Sequence, residues 1–266
     1  MAYNLLKGKR GLIFGALNEQ SIAWRVAERA AEEGAEIVLS NSPVAVRMGA
    51  INVLAERINA PVIAADVTSV EDIEKVVDGC TEHFGGGIDF VLHSVGMSPN
   101  IRKQIPYTAL NYDFMSKTLD ISALSFHKIL QVLHAKDALR DWASVVALTY
   151  LAAERTVVGY GDMAEAKAML QSIARSFGAI YGRERHVRIN TVSQSPTMTT
   201  AGSGIDGMQR MYDYADGVAP LGNASADDCA DYVVTLFSDL TRKVTMQNLY
   251  HDGGFSMTAF SLDEQR

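Results

Sequence analysis

Short runs of β-branched and other apolar residues alternate with longer stretches whose apolar positions recur every three or four residues. That alternation is the pattern of βαβ units building a parallel sheet. It predicts a first strand at Arg10–Gly15 and a helix from Ser21 to near Gly34, then a strand at Glu36–Ser40 and a helix around Val44–Ile58. Strands at Val62–Ala65 and Ile88–Ser94 bracket a helix near Val70–Phe84. A long helix is expected over Tyr112–His134, a fifth strand at Ala143–Leu148, a helix over Tyr160–Tyr181 and a sixth strand at Val187–Val192. The rhythm then breaks. Residues 194–223 are rich in Thr, Ser, Gly and Met, with a short helical pattern at Asp206–Tyr214, and read as a lid or binding loop. A helix at Ala226–Phe237 and a strand at Gln247–His251 complete the pattern. The expected architecture is one α/β domain over residues 1–266, a doubly wound parallel sheet of about seven strands with helices on both faces.

Composition narrows the function. The 266 residues are 48% hydrophobic and 21% charged, enough for one large core. A formal net charge of -7 speaks against nucleic acid and against an anionic membrane as partners, since both require a basic surface. No apolar run reaches the length of a bilayer span, and the opening Met-Ala-Tyr-Asn-Leu-Leu-Lys lacks a signal peptide's apolar core, so a cytoplasmic location is expected. Cys80 and Cys229 are read as buried structural thiols, and the six histidines show no metal-ligand spacing; no metal is expected.

The strand ends carry the candidate chemistry. Gly15 is the lone glycine of Phe14-Gly-Ala-Leu-Asn-Glu-Gln-Ser21, so the Gly-x-Gly-x-x-Gly fingerprint is absent. Gly15 still lets the backbone approach a pyrophosphate, and Ser21 could cap the helix while offering its hydroxyl to the phosphate. Asp66 and Val67 after the third strand suit an adenine amine and ring, and Ser94-Val95-Gly96 after the fourth lies where a ribose would pass. These positions converge at the carboxyl edge of the sheet, where a dinucleotide binds. Ser40-Asn-Ser42 ends the second strand with neither a ribose-binding carboxylate nor a cation fork. NADH is therefore expected over NADPH, with Arg47 as the residue that could reverse the preference by pairing with a 2′-phosphate or else face solvent.

Tyr160 and Lys167 select the reaction. On one helix, positions i and i+7 share a face about 10 Å apart, so a phenol and an ammonium would line one cleft. The same spacing also fits the polar edge of an amphipathic helix. Carbonyl-reducing short-chain dehydrogenases place Tyr four residues before Lys and Ser thirteen before that Tyr; here those positions hold Met163 and Tyr150. In an α,β-unsaturated thioester, hydride adds to the β carbon while charge collects on the distant thioester oxygen, so the donor must sit further back. Moving Tyr by three helical residues displaces it by about 4.5 Å.

Taken together, Gly15-x5-Ser21-Ile22-Ala23, Asp66-Val67, His93-Ser-Val-Gly96, Leu148-Thr-Tyr-Leu-Ala-Ala-Glu154, Tyr160-x6-Lys167, Val187-Arg-Ile-Asn190, Pro196-Thr-Met-Thr199 with Ala201-Gly-Ser-Gly-Ile205, and His251-Asp-Gly-Gly-Phe-Ser256 span the chain end to end. In their order they resemble the short-chain-type enoyl-acyl carrier protein reductases of bacterial fatty acid synthesis. The resemblance implies a Rossmann-like short-chain dehydrogenase/reductase fold, NADH-dependent reduction of trans-2-enoyl thioesters on acyl carrier protein, and a homotetramer. It implies that Tyr160 stabilises the enolate oxygen, that Lys167 holds the nicotinamide ribose, and that Tyr150 is a second active-site tyrosine. Thr197 would offer its backbone to the carboxamide and Thr199 would lie near the pyrophosphate, with Ile22, Ser42, Val95, Met198, Thr200 and Ala201 completing the cofactor wall. Met97, Ser98, Met163 and Met208 would line the acyl pocket under a lid formed from the 194–223 segment. Two departures stand out: Gln194-Ser-Pro-Thr197 replaces the usual Ala-Gly-Pro-Ile, and Asp206-Gly-Met-Gln-Arg210 keeps one basic residue where relatives carry several for the carrier protein. The rival readings are a β-ketoacyl or carbonyl reductase of the same superfamily and a non-catalytic dinucleotide sensor.

Overall fold

Successive residues of a strand point to opposite faces of its sheet, and that rule divides the core of this protein in two. The computed structural model describes residues 2–200, 202 and 207–259. Its strands are β1 (Arg10–Phe14), β2 (Glu36–Asn41), β3 (Val62–Ala64), β4 (Ile88–His93), β5 (Leu139–Thr149), β6 (Arg188–Gln194) and β7 (Asn248–His251), paired in the order β3-β2-β1-β4-β5-β6-β7. Every pair is parallel. The main helices are α1 (Ile22–Glu32), α2 (Pro43–Met48), α3 (Ala50–Ile58), α4 (Val70–Phe84), α5 (Pro99–Arg102), α6 (Tyr112–Leu119), α7 (Ser125–Ala135), α8 (Met163–Arg185), α9 (Met208–Val218) and α10 (Ala226–Phe237). Leu12, Val91, Val145 and Ile189 enter a core with α4, α7 and α8. Their neighbours Ile13, Leu92 and Val146, with Val192, enter a second core with α1, α3 and α10. Burial on both faces is why these strands read as unbroken apolar runs.

Four departures from the sequence pattern have local causes. The helix expected at Val44–Ile58 is two, because the chain leaves the helical region at Gly49 (φ 86°). The helix expected at Tyr112–His134 carries a wider π-turn at Asp120–Leu124 between α6 and α7, where Ser125 Oγ donates to the Ile121 carbonyl at 2.7 Å. Strand β5 starts at Leu139 rather than Ala143, since exposed Arg140 and Asp141 interrupt its apolar pattern and Trp142 takes a positive φ of 65°. The fourth matters most: α8 begins at Met163, so Tyr160 lies before the helix and not on it.

At the amino edge of the sheet, buried Arg188 ties β6 to the end of α10. Its guanidinium donates to the carbonyls of Leu236 (2.8 Å), Ser238 (3.1 Å) and Thr241 (3.1 Å) and to Thr241 Oγ1 (2.7 Å). The buried thiols of Cys80 and Cys229 are each pushed up to about 12 by desolvation, which leaves them inert. Among the described residues no helix is long and apolar enough to cross a membrane.

Candidate active site

The strand order reverses between β1 and β4, and a crevice opens at their carboxyl ends. Gly15 closes this point. It has φ of 100°, its amide donates to the Ser40 carbonyl at 3.1 Å, and a Cβ there would lie 2.0 Å from the Ser94 carbonyl oxygen. Only glycine allows the two strand ends to approach this closely. From here a cavity of about 670 Å³ runs from Ser42, Asp66 and Val67 past Gly15, Ser21 and Ile22 to Ser94, Val95, Gly96, Tyr150, Tyr160 and Lys167. Met97, Ser98, Met163, Thr197, Thr199, Thr200 and Met208 also line it. Met198 does not; its side chain is 44% exposed. Ala201 lies outside the described residues.

The expected helix cap by Ser21 is corrected. Its hydroxyl makes no cap to α1; instead it donates to the Asn18 carbonyl at 2.7 Å and accepts from Leu17 N at 3.2 Å, holding the turn after β1 in shape. Asn18 Nδ2 in turn donates to Thr200 Oγ1 at 2.8 Å, which joins this turn to the segment after β6. At the far end Asn41 is spent internally, donating to the Ala16 carbonyl at 2.9 Å and accepting from Ser42 N at 2.8 Å. Val44, Ala45 and Met48 of α2 give that end an apolar wall. Arg47 is exposed and is not part of the lining. Asp66 Oδ1 accepts from Thr68 N at 2.9 Å and Thr68 Oγ1 at 2.7 Å, which fixes the carboxylate at the cavity mouth.

Tyr160 hangs from a turn between Gly159 (φ 86°) and Gly161 (φ 52°). The helical spacing expected for Tyr160 and Lys167 is thus overturned: two positive-φ glycines break the helix phase before α8 begins, yet both side chains still reach one cavity wall. The rings of Tyr150 and Tyr160 lie 5.0 Å apart at 46°. Burial, then the charge of Asp252, pushes the Tyr150 phenol up to about 12, and burial followed by Tyr150 raises Tyr160 still further. Both phenols therefore keep their protons at neutral pH and can only donate to, not deprotonate, a substrate. Lys167 Nζ donates to the Leu148 carbonyl at 2.8 Å, and burial lowers its ammonium to about 8. Beneath it, burial and then the Lys167 charge bring His93 down to about 3, so this imidazole is neutral.

A further group was not legible beforehand. Asp162, which the sequence placed within the expected Tyr160–Tyr181 helix without a role of its own, is fully buried. Ser98 Oγ donates to its Oδ1 at 2.6 Å and Asn100 Nδ2 to its Oδ2 at 2.7 Å. Thr118 Oγ1 lies 2.8 Å from Oδ2 and 2.9 Å from the Phe114 carbonyl, sharing one proton between them. No local signal marks this carboxylate, because its partners come from 44 to 64 residues earlier in the chain. Gln194 was noted only as a departure; it lines the cavity, its Oε1 accepts from His251 Nδ1 at 2.7 Å, and its Nε2 donates to the Ala224 carbonyl at 3.0 Å.

Known proteins resemble this chain in sequence and fold. The sequence profile described as Enoyl-(Acyl carrier protein) reductase matches residues 15–256. The chain is 33% identical to enoyl-[acyl-carrier-protein] reductase [NADH] 2 of Rhizobium meliloti (strain 1021), over 96% of this chain and 94% of that one. The crystal structure of a FabI-NADH complex from Alistipes finegoldii is 68% identical with a TM-score of 0.98, covering 99% of this chain and 93% of the other. The corresponding NADH reductase from Aquifex aeolicus VF5 is 28% identical with a TM-score of 0.89, covering 97% of this chain and 100% of the other.

Proposed function

We propose, given that this chain belongs to the enoyl-(acyl carrier protein) reductase family, a division of labour among its cavity residues in reducing the carbon–carbon double bond of trans-2-enoyl thioesters. The observation that carries it is the pairing of a protonated, buried Tyr160 with a buried Lys167 on one wall of the cavity that begins at Gly15. NADH, when bound, supplies the hydride received by the β carbon. The donor set fits that cofactor. Lys167 has three N–H bonds and spends one on the Leu148 carbonyl, leaving two for a ribose diol. Gly15 presents bare backbone where a pyrophosphate would pass, and Asp66 keeps an oxygen for the adenine amine.

As the hydride arrives, charge moves to the thioester oxygen. The Tyr160 phenol donates a hydrogen bond there, and Tyr150 beside it narrows the pocket and excludes water. Lys167 orients the ribose and adds positive potential. Met97, Met163, Met208 and Met211 form an adaptable apolar wall for the acyl chain, beside Pro196, Thr197 and Thr199. Met163 and Tyr150 at the two positions used by carbonyl reductases disfavour ketone reduction, and the retained Tyr160 and Lys167 disfavour a sensor without turnover. Acyl carrier protein brings the substrate, and we infer a cytoplasmic homotetramer from the family to which the chain belongs.

Tyr160→Phe is expected to lower kcat with crotonyl or dodecenoyl thioesters on the order of 100-fold, about 3 kcal/mol in the barrier, with NADH binding nearly intact. NADH absorbance gives the rate and fluorescence titration the binding. An unchanged rate removes Tyr160 from the mechanism.

A further inference from the structure

Asp162 is the N-terminal flanking residue of α8, yet its side chain makes no cap to that helix. The carboxylate is turned instead across the cavity wall, to Ser98, Asn100 and Thr118. Asp at a helix start ordinarily satisfies the helix's own first N–H groups, and diverting it leaves those groups without that partner. A fully buried carboxylate is costly unless donors compensate it, and here every donor belongs to the opposite wall. Ser98 also accepts from Ile101 N at 3.1 Å, so its hydroxyl proton is committed to Asp162. Asn100 is itself fixed, accepting from Asn111 N and donating to the Asn111 carbonyl, both at 3.1 Å. The donors are therefore rigid. Two residues before Asp162 is Tyr160, and one residue after it is Met163, both in the cavity lining. Gly161 lies between them and Gly159 just before Tyr160, and the backbones of both glycines resist bending least.

We propose that Asp162 is a positioning residue for Tyr160: its carboxylate locks the glycine-flanked turn to the 98–118 wall and so sets where the phenol meets the thioester oxygen. The inference rests on Tyr160 being the donor to that oxygen, and its test separates the two. Replacing the carboxylate by an amide turns one of its two acceptors into a donor, so either Ser98 or the pair Asn100 and Thr118 loses its acceptor and the turn shifts, while the identity of every residue of the cavity lining is unchanged.

The experiment is a double-mutant cycle on the full chain with NADH and crotonyl thioester, using Asp162→Asn, Tyr160→Phe and their combination. Asp162→Asn is expected to lower kcat roughly 10-fold and to change the KM for NADH less than about twofold, and this loss should shrink below about twofold in the Tyr160→Phe background. An equal loss in both backgrounds, or none in the first, overturns the positioning role while the Tyr160 reading stands. An unchanged rate for Tyr160→Phe alone overturns that reading instead. Should Asp162→Asn fail to fold, Thr118→Val, which removes one hydroxyl from the carboxylate, is expected to lower kcat about threefold in the Tyr160 background only, with Thr118→Ser restoring it. A wild-type rate for Thr118→Val, or no rescue by Thr118→Ser, overturns the proposal equally.

Discussion

Asp162 and Arg188 are both charged and both buried, but they sit at opposite edges of one sheet and are satisfied in opposite ways. Arg188, at the amino edge, is surrounded by carbonyls at the end of α10 and just beyond it, where the helix dipole already favours a cation. Asp162, at the carboxyl edge, is held by two hydroxyls and an amide drawn from a neighbouring wall. The first arrangement joins two structural elements far from the cavity. The second joins two sides of the cavity itself. Burial of a charge thus has no single meaning in this fold; what it holds together decides whether stability or chemistry depends on it.

The comparison breaks most directly at Arg188. Arg188→Met takes the donors from the carbonyls of Ser238 and Thr241, while the Leu236 carbonyl keeps Ser144 Oγ and Thr241 Oγ1; the change is expected to cost about 3 kcal/mol of unfolding free energy in urea titration. At a temperature where the variant stays folded, its kcat should remain within about twofold of wild type. A fall in kcat matching that of Asp162→Asn would erase the contrast.

Lys167 sharpens it as a third buried ion, one that lies in the cavity. Its folded value near 8 is below that of a free lysine at about 10.5, because burial disfavours the charge. Between those values the unfolded chain holds a proton that the folded chain has released, so stability rises with pH across that window and the burial cost is fully present below it. Measured as wild type against Lys167→Met, the difference should move in favour of wild type by about 2–3 kcal/mol from pH 8 to pH 10.5. The same loss of the ammonium should make kcat/KM for NADH fall above pH 8. A stability difference that is flat with pH would show that the ammonium is solvated.

The smallest effect is expected at Arg47, an exposed cation outside the cavity lining. Arg47→Ala should leave the efficiency with NADH within about twofold and should not create or abolish any use of NADPH. A clear NADPH preference lost in this variant would bring Arg47 to the cofactor.

The strands that pack on both faces were readable because their apolar runs are local, and α4 and α10 begin and end where periodicity and capping residues place them. Gly15, Ser42, Asp66, Ser94 and Tyr150 of the cavity were readable because they sit just past strand ends. What escaped depends on distant partners or on backbone torsion. Tyr160 has helix-like neighbours in sequence, but the positive φ of Gly159 and Gly161 removes it from α8. Asp162 shows its burial only once residues 98–118 are folded against it. The apolar end wall from α2 was hidden by the break at Gly49, which gives α2 a direction of its own.

Because Tyr160 is suspended from a turn, its distance from Lys167 follows from loop length and not from helical pitch. A residue inserted into a helix rotates everything after it by about 100°, whereas one inserted before Met163 would shift the phenol and leave Lys167 at its station. The acid and the cation can then be spaced independently. A catalyst could be retargeted to an oxygen nearer or farther from the site of hydride attack by editing a few residues between Leu151 and Asp162, with the sheet, the dinucleotide crevice and α8 carried over unchanged.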